Sequence, residues 1–278
     1  MRIQINSALL EYEPLTQTRR NCYDDLMKEK LRLVQNLLEK RKARKKEERF
    51  VVEGPHLVEE ALKQGLIDFV VYAENLPIVQ ELKQQNINCL KISREQFADI
   101  SEVEAPQWVL AVVKEQNFEL ADILKTDNPL IVFCVEVQDP GNLGTIVRTA
   151  DAVGASGIIL SRGTVDLYNG KTIRSTMGSL FHLPIVFIDD FSKTIDTLKG
   201  KGIRIVGTDI SMKKDYFAAD FKGPTAILVG NEGAGLSLEQ MEVSDELVKI
   251  PMPGKAESLN VGVSTAVVLY EALRQRAK

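Results

Sequence analysis

The residues PLIVFCVEV, 129–137, are apolar at both odd and even positions. A strand of this kind hides both its faces, which requires a parallel sheet covered by helices on each side. The chain beyond this run keeps the pattern. Leu143, Ile146, Val147, Ala150 and Val153 recur at helical spacing. GIIL (157–160), LPIVFI (183–188), GIRIVGTD (202–209) and TAILVG (225–230) read as further strands, with a helix near 190–199. Strands alternating with helices predict an α/β domain: a mostly parallel sheet with helices on both faces.

The first half of the chain reads as a smaller α/β unit. Residues 24–46 form one helix, with Leu26, Leu33, Leu37 and Leu38 apolar and much of the rest charged. FVVEG (50–54), DFVVY (68–72), NCLKIS (88–93) and QWVLAVVKE (107–115) are strands, separated by helices at 55–65 and 78–85. Pro55 and Gly65 suit the start and stop of the first of these helices. The polar stretch 116–128 is the expected linker. The predicted division is a 1–20 extension without clear period, a unit over 21–115, the linker, and a domain over 129–278.

Charge is uneven. Ten Lys/Arg stand against four Asp/Glu between Lys28 and Arg49, on a chain whose net charge is −4. The run KRKARKK, 40–46, is its densest part, and Lys40, Arg41, Arg44 and Lys45 are candidate contacts to a polyanion. A solvated helix face would look the same. Cys22, Cys89 and Cys134 are far apart in sequence, which fits a reducing cytoplasm and opposes a thiolate metal site. Two histidines, His56 and His182, leave little for a His-based metal centre. No apolar run is long enough to span a membrane, and MRIQINSALLEYEP lacks the order of a signal peptide.

Three loops carry the polar residues that chemistry needs. QDPGNLGTIVRTADAVG, 138–154, turns at Asp139-Pro140-Gly141 and places Asn142 and Arg148 on the following helix. Arg148 could anchor a phosphate or a developing oxyanion, or simply pair with Asp151. LVGNEGAGLS, 228–237, has glycines that let main chain approach a ligand, beside Asn231 and Glu232. It is neither a dinucleotide fingerprint nor a P-loop. IPMPGKAESLN, 250–260, opens the last helix. In that helix Leu259, Val263, Ala266, Val267, Tyr270 and Leu273 mark the expected core stripe, with Val261, Val268, Leu269 and Ala272 off it.

In this order and behind these strands, DPGNLGTIVRTADAVG, LVGNEGAGLS and IPMPGKAESLNVGVSTAVVLYEAL resemble the SpoU (TrmH-type) RNA ribose methyltransferases of the SPOUT class. The resemblance covers about 129–276, and 28–113 looks like the family's RNA-binding domain. It implies a trefoil knot, S-adenosylmethionine held by Thr208, Gly230, Ile250 and Leu259, and methyl transfer to a ribose 2′-hydroxyl. The family pattern gives that work to Asn142, Arg148, Glu232, Ser258 and Asn260. It also implies a homodimer with active sites near the interface, for which the residues off the last helix's stripe are the expected contact. Ribosomal RNA is the expected substrate. Transfer RNA methylation, a non-catalytic RNA-binding role and a Rossmann-type nucleotide enzyme are the alternatives.

Overall fold

The computed structural model describes residues 17–277. Most of the expected N-terminal extension lies outside them. Contacts divide the chain into two units, the first ending at Glu115 and including Tyr168–Gly170, the second holding the remainder from Gln116.

The N-terminal unit contains α1 (Gln17–Glu39), α2 (Arg41–Glu47), β1 (Arg49–Glu53), α3 (Pro55–Lys63), β2 (Ile67–Tyr72), α4 (Pro77–Gln84), β3 (Cys89–Lys91), α5 (Arg94–Ile100) and β4 (Val109–Lys114). Its sheet runs β1-β4-β2-β3. β4 is antiparallel to both neighbours, and β2 and β3 are parallel. Val34 and Leu37 of α1 pack with Val51, Phe69, Val71, Leu110 and Val112 of the sheet.

The helix expected over 24–46 is broken. Lys40 is extended, and α2 restarts after it. The break leaves the last carbonyls of α1 without helical partners, a fixed cost of any helix end. Arg44 meets it: the side chain is buried and its guanidinium donates to the Leu37 and Leu38 carbonyls. Arg44 therefore leaves the set of candidate RNA contacts, whereas Lys40, Arg41 and Lys45 stay exposed. Charge density alone could not separate the one arginine that turns inward.

The C-terminal unit contains α6 (Leu120–Ile123), β5 (Leu130–Cys134), α7 (Pro140–Ala152), β6 (Gly157–Ser161), α8 (Gly170–Thr176), β7 (Ile185–Ile188), α9 (Phe191–Gly200), β8 (Arg204–Thr208), β9 (Thr225–Val229), α10 (Leu238–Glu242), β10 (Glu246–Val248) and α11 (Val261–Arg276). The sheet is parallel throughout, in the order β10-β8-β9-β5-β6-β7. β5 lies near its middle. Ile131, Phe133 and Val135 enter a cluster with Ile195 and Leu198 of α9 and Ile123 of α6. Val132 and Cys134 face the other way by strand alternation and are also fully buried. Each such side chain contributes about 1.5–3 kcal/mol of burial. The stretch expected to be linker does more than connect, because Phe118, Leu120, Ile123 and Leu124 pack against this cluster.

α11 packs on α7. Its buried residues are Gly262, Thr265, Val268, Leu269, Glu271 and Ala272. Leu259, Val263, Tyr270 and Leu273, from the expected core stripe, are exposed. Apolar residues fall on both sides of the helix and the buried side includes Thr265 and Glu271, so periodicity could not choose it; its neighbour α7 did. Gly262 makes the approach possible, since a Cβ there would stand 3.0 Å from the Thr145 methyl.

Candidate active site

Ligands of parallel sheets bind beyond the carboxyl ends of the strands. Here the segments leaving β5, β8, β9 and β10 gather at that end. Asp139 caps α7 by accepting from the Asn142 N–H at 2.9 Å, and Pro140 occupies the first turn, where its missing N–H costs nothing. The loop after β9 closes on itself through paired Asn231 and Gly235 main-chain bonds. Gly230 is needed there, because a Cβ would meet the Gly235 carbonyl at 2.4 Å. The Asn231 side chain accepts from Gly233 and Ala234 and donates to the Glu136 carbonyl, tying the loop to the segment that leaves β5.

A cavity of about 330 Å³ lies between these loops. Thr208, Gly230, Ile250 and Leu259, the four expected cofactor contacts, all line it, and so do Glu232 and Ser258. Asp209, Ile210, Lys249, Met252, Glu257 and Ser264 also line it. The sequence pattern missed these because all but Ser264, on the first turn of α11, sit in irregular chain, and β10 beside them has three residues, too few to carry a period. Among the described residues, the Ile250 and Leu259 N–H groups have no protein acceptor. The wall thus combines free main-chain donors, carboxylates and apolar surface, the donor set expected of a small-molecule pocket.

Beside the cavity the three loops are joined by side chains. The Glu232 carboxylate accepts from the Gln138 N–H at 3.0 Å, the Asp139 N–H at 2.9 Å and Asn142 Nδ2 at 3.1 Å. Asn142 Oδ1 accepts from Asn260 Nδ2 at 2.7 Å. Asn260 Oδ1 caps α11, accepting from the Gly262 and Val263 N–H groups. Burial pushes the Glu232 carboxyl upward, but the hydrogen bonds from Asp139, Gln138 and Asn142 outweigh it and hold the group below its ordinary value.

Arg148 does not join this cluster. It lies on the exposed side of α7, six residues beyond Asn142, about 9 Å along the helix. It has no ion-pair partner among the described residues, and Asp151 instead bonds His182 Nδ1 at 2.8 Å. The structure thus unites Asn142, Glu232 and Asn260, puts Ser258 on the cavity wall, and leaves Arg148 as an uncommitted surface cation. Among the described residues no cluster of His, Cys, Asp and Glu could hold a metal ion, and no helix is long and apolar enough to cross a membrane. Burial raises the Cys89 and Cys134 thiols to about 11 and about 12, so neither is a ready thiolate.

A parallel α/β unit with such a pocket at the carboxyl ends of its strands defines a ligand-binding or enzyme domain. Comparison with known proteins identifies which. Residues 129–270 match the SpoU rRNA Methylase family and residues 28–111 an MRM3-like substrate binding domain. The 23S rRNA (guanosine(2553)-2′-O)-methyltransferase RlmP of Bacillus subtilis is 38% identical over 234 residues, 84% of this chain and 92% of its own. The 23S rRNA (guanosine-2′-O-)-methyltransferase RlmB of Photobacterium profundum is 34% identical, covering 72% and 84%. The crystal structure of the SpoU methyltransferase AviRb from Streptomyces viridochromogenes, in complex with AdoMet, superposes with a TM-score of 0.82 at 34% identity over 89% of this chain and 97% of that one. The chain belongs to the SpoU rRNA methylase family.

Proposed function

We propose that this chain transfers a methyl group from S-adenosylmethionine to a ribose 2′-hydroxyl of ribosomal RNA. One observation carries the proposal: the cavity at the carboxyl end of the sheet is lined by all four residues expected to hold that cofactor. The relatives named for 23S rRNA 2′-O-methylation support the substrate, and AviRb with AdoMet supports the cofactor. The rRNA substrates of the bacterial relatives favour the cytoplasm as the place of work. Calorimetry with S-adenosylmethionine, NAD and ATP tests the cofactor directly. Binding of the first alone is expected; binding of NAD or ATP in its place would move the chain to another class.

Thr208, Gly230, Ile250 and Leu259 would hold the cofactor, the free Ile250 and Leu259 N–H groups reading its edges. When bound, it supplies an electrophilic sulfonium methyl. The protein's part is to aim the 2′-oxygen and steady the negative charge that develops on it. Ser258, on the pocket wall, can orient the ribose. Arg148 suits the charge: a guanidinium stays protonated far above neutral pH, so it stabilises an alkoxide and anchors phosphate but is no base.

Arg148 is absent from the lining of its own chain's cavity, so we assign it to the pocket of a second subunit. The exposed apolar face of α11, with Val263, Tyr270 and Leu273, and Leu259 just before it support a two-fold dimer in which the same patch serves both chains. This face replaces Val261, Val268, Leu269 and Ala272 as the expected contact, since the last three are buried within the subunit. The knot implied by the resemblance agrees with β10 lying at one sheet edge while α11 returns to α7 near the centre. Light scattering is expected to give a dimer. Mixing Arg148→Ala with Asn260→Ala subunits should recover activity through one intact composite site; a fully active monomer, or dead mixed dimers, would contradict the shared site.

The exposed cations of the N-terminal unit supply affinity without sequence choice. Changing Lys40, Arg41 and Lys45 to Gln is expected to weaken RNA binding and flatten its salt dependence. The log–log slope should fall by about 0.7–0.9 for each phosphate that is no longer neutralised. Filter binding across a salt series measures this. Unchanged slopes would mark the run as a solvated face.

A further inference from the structure

The bonds among Glu232, Asn142 and Asn260 leave no freedom in their direction. A carboxylate can only accept, and Glu232 is aimed by two main-chain N–H groups, of Gln138 and Asp139. Asn142 must therefore turn its Nδ2 toward Glu232, which turns its Oδ1 toward Asn260. Asn260 must answer with Nδ2, and its Oδ1 then faces the Gly262 and Val263 N–H groups. Those helix donors demand an acceptor in their own right. Both ends of the chain of bonds thus dictate one polarity, and flipping either amide would set donor against donor or acceptor against acceptor.

The same bonds run between opposite parts of the pocket. Glu232 lines one side; Leu259, Val261 and Ser264, which flank Asn260, line another. Asn142 stands between them on the first turn of α7. We propose that Glu232, Asn142 and Asn260 are positioning residues, a polarity-fixed strap that holds the first turn of α11 to the glycine loop and so sets the shape of the cofactor pocket. The proposal rests on the pocket assigned above. Glu232 is a poor proton acceptor in any case, because three hydrogen bonds already favour its ionised form. Nothing in the strap titrates near neutral pH, so the pocket keeps its shape where the enzyme works.

Substitutions can break the strap while sparing its parts. Asn260→Asp keeps the helix cap and adds a charge that suits a helix start, yet it sets an acceptor against Asn142 Oδ1. Asn142→Asp sets a second carboxylate against Glu232. The full-length wild-type protein and these variants would be titrated with S-adenosylmethionine and S-adenosylhomocysteine by calorimetry, and amide exchange followed over 258–266. Each single variant is expected to weaken binding about tenfold, the order of a lost hydrogen bond, and to speed exchange in that segment. The Asn260→Asp protein should keep its melting temperature. Single variants with wild-type affinity and exchange but lost transfer would overturn the strap and return these residues to direct chemistry. Wild-type protein that binds neither ligand would refute the pocket assignment, and the exchange data would still decide on the strap.

Discussion

Replacing Arg148 with alanine is expected to slow methyl transfer by roughly 10²- to 10³-fold, the usual cost of removing one group that stabilises a developing oxyanion. Cofactor affinity should stay near wild type, because Arg148 is not among the residues lining the cavity. Fold stability should also hold. Arg148 is exposed and, among the described residues, forms no ion pair, so truncation removes no buried contact. Single-turnover transfer to an RNA substrate, measured beside calorimetry, separates the effects. Activity within a factor of a few of wild type would end the role given to Arg148. Lost cofactor binding would instead mean that it shapes the pocket.

A second large effect is expected at the far end of α11. Arg276 donates to the Phe221 carbonyl at 2.7 Å and the Asn128 carbonyl at 2.9 Å, with further bonds to Pro129 and Gly223. One planar guanidinium thus ties the last helix to the segments that enter β5 and β9. Gln275 reinforces it, donating to the Ala219 carbonyl and accepting from the Phe221 N–H. Arg276→Ala leaves several carbonyls without a donor, a loss on the order of 3 kcal/mol. For a unit of this size that lowers the melting midpoint by roughly 5–10 °C. Arg276→Lys should recover only part, since an ammonium is a point donor and cannot serve the same fork. Scanning calorimetry reads this. Midpoints unchanged in Arg276→Ala would show that packing of Val268, Leu269 and Ala272 alone holds α11.

Much of this molecule is written locally in its sequence. The run 129–137 could satisfy its apolar residues on both faces only in a covered parallel sheet, and β5 occupies such a place. Thr208, Gly230, Ile250 and Leu259 are expected only through the resemblance to a family, and no propensity would have assembled them around one cavity. What stays hidden depends on neighbours. The inward turn of Arg44 exists because Lys40 breaks the helix before it. The buried face of α11 is chosen by α7 and carries Thr265 and Glu271 among Val268, Leu269 and Ala272, so an apolar stripe alone could not mark it. The strap joins residues up to 118 positions apart, a pairing that spacing within a segment cannot reveal. α5 and α10 are too short for periodicity to reveal, although each carries a local signal, a Ser at the cap with Gln three residues on: Ser93 with Gln96 and Ser237 with Gln240.

Methylation of ribose in ribosomal RNA by this chain is tested most directly by mapping 2′-O-methyl nucleotides in total RNA. The cells compared would carry the gene, lack it, or carry the Arg148→Ala version. One or a few sites in ribosomal RNA are expected to disappear in the deletion, return with the wild-type gene, and fail to return with the variant. Ribosomal RNA methylated identically in all three, or loss confined to transfer RNA, would contradict the proposed function.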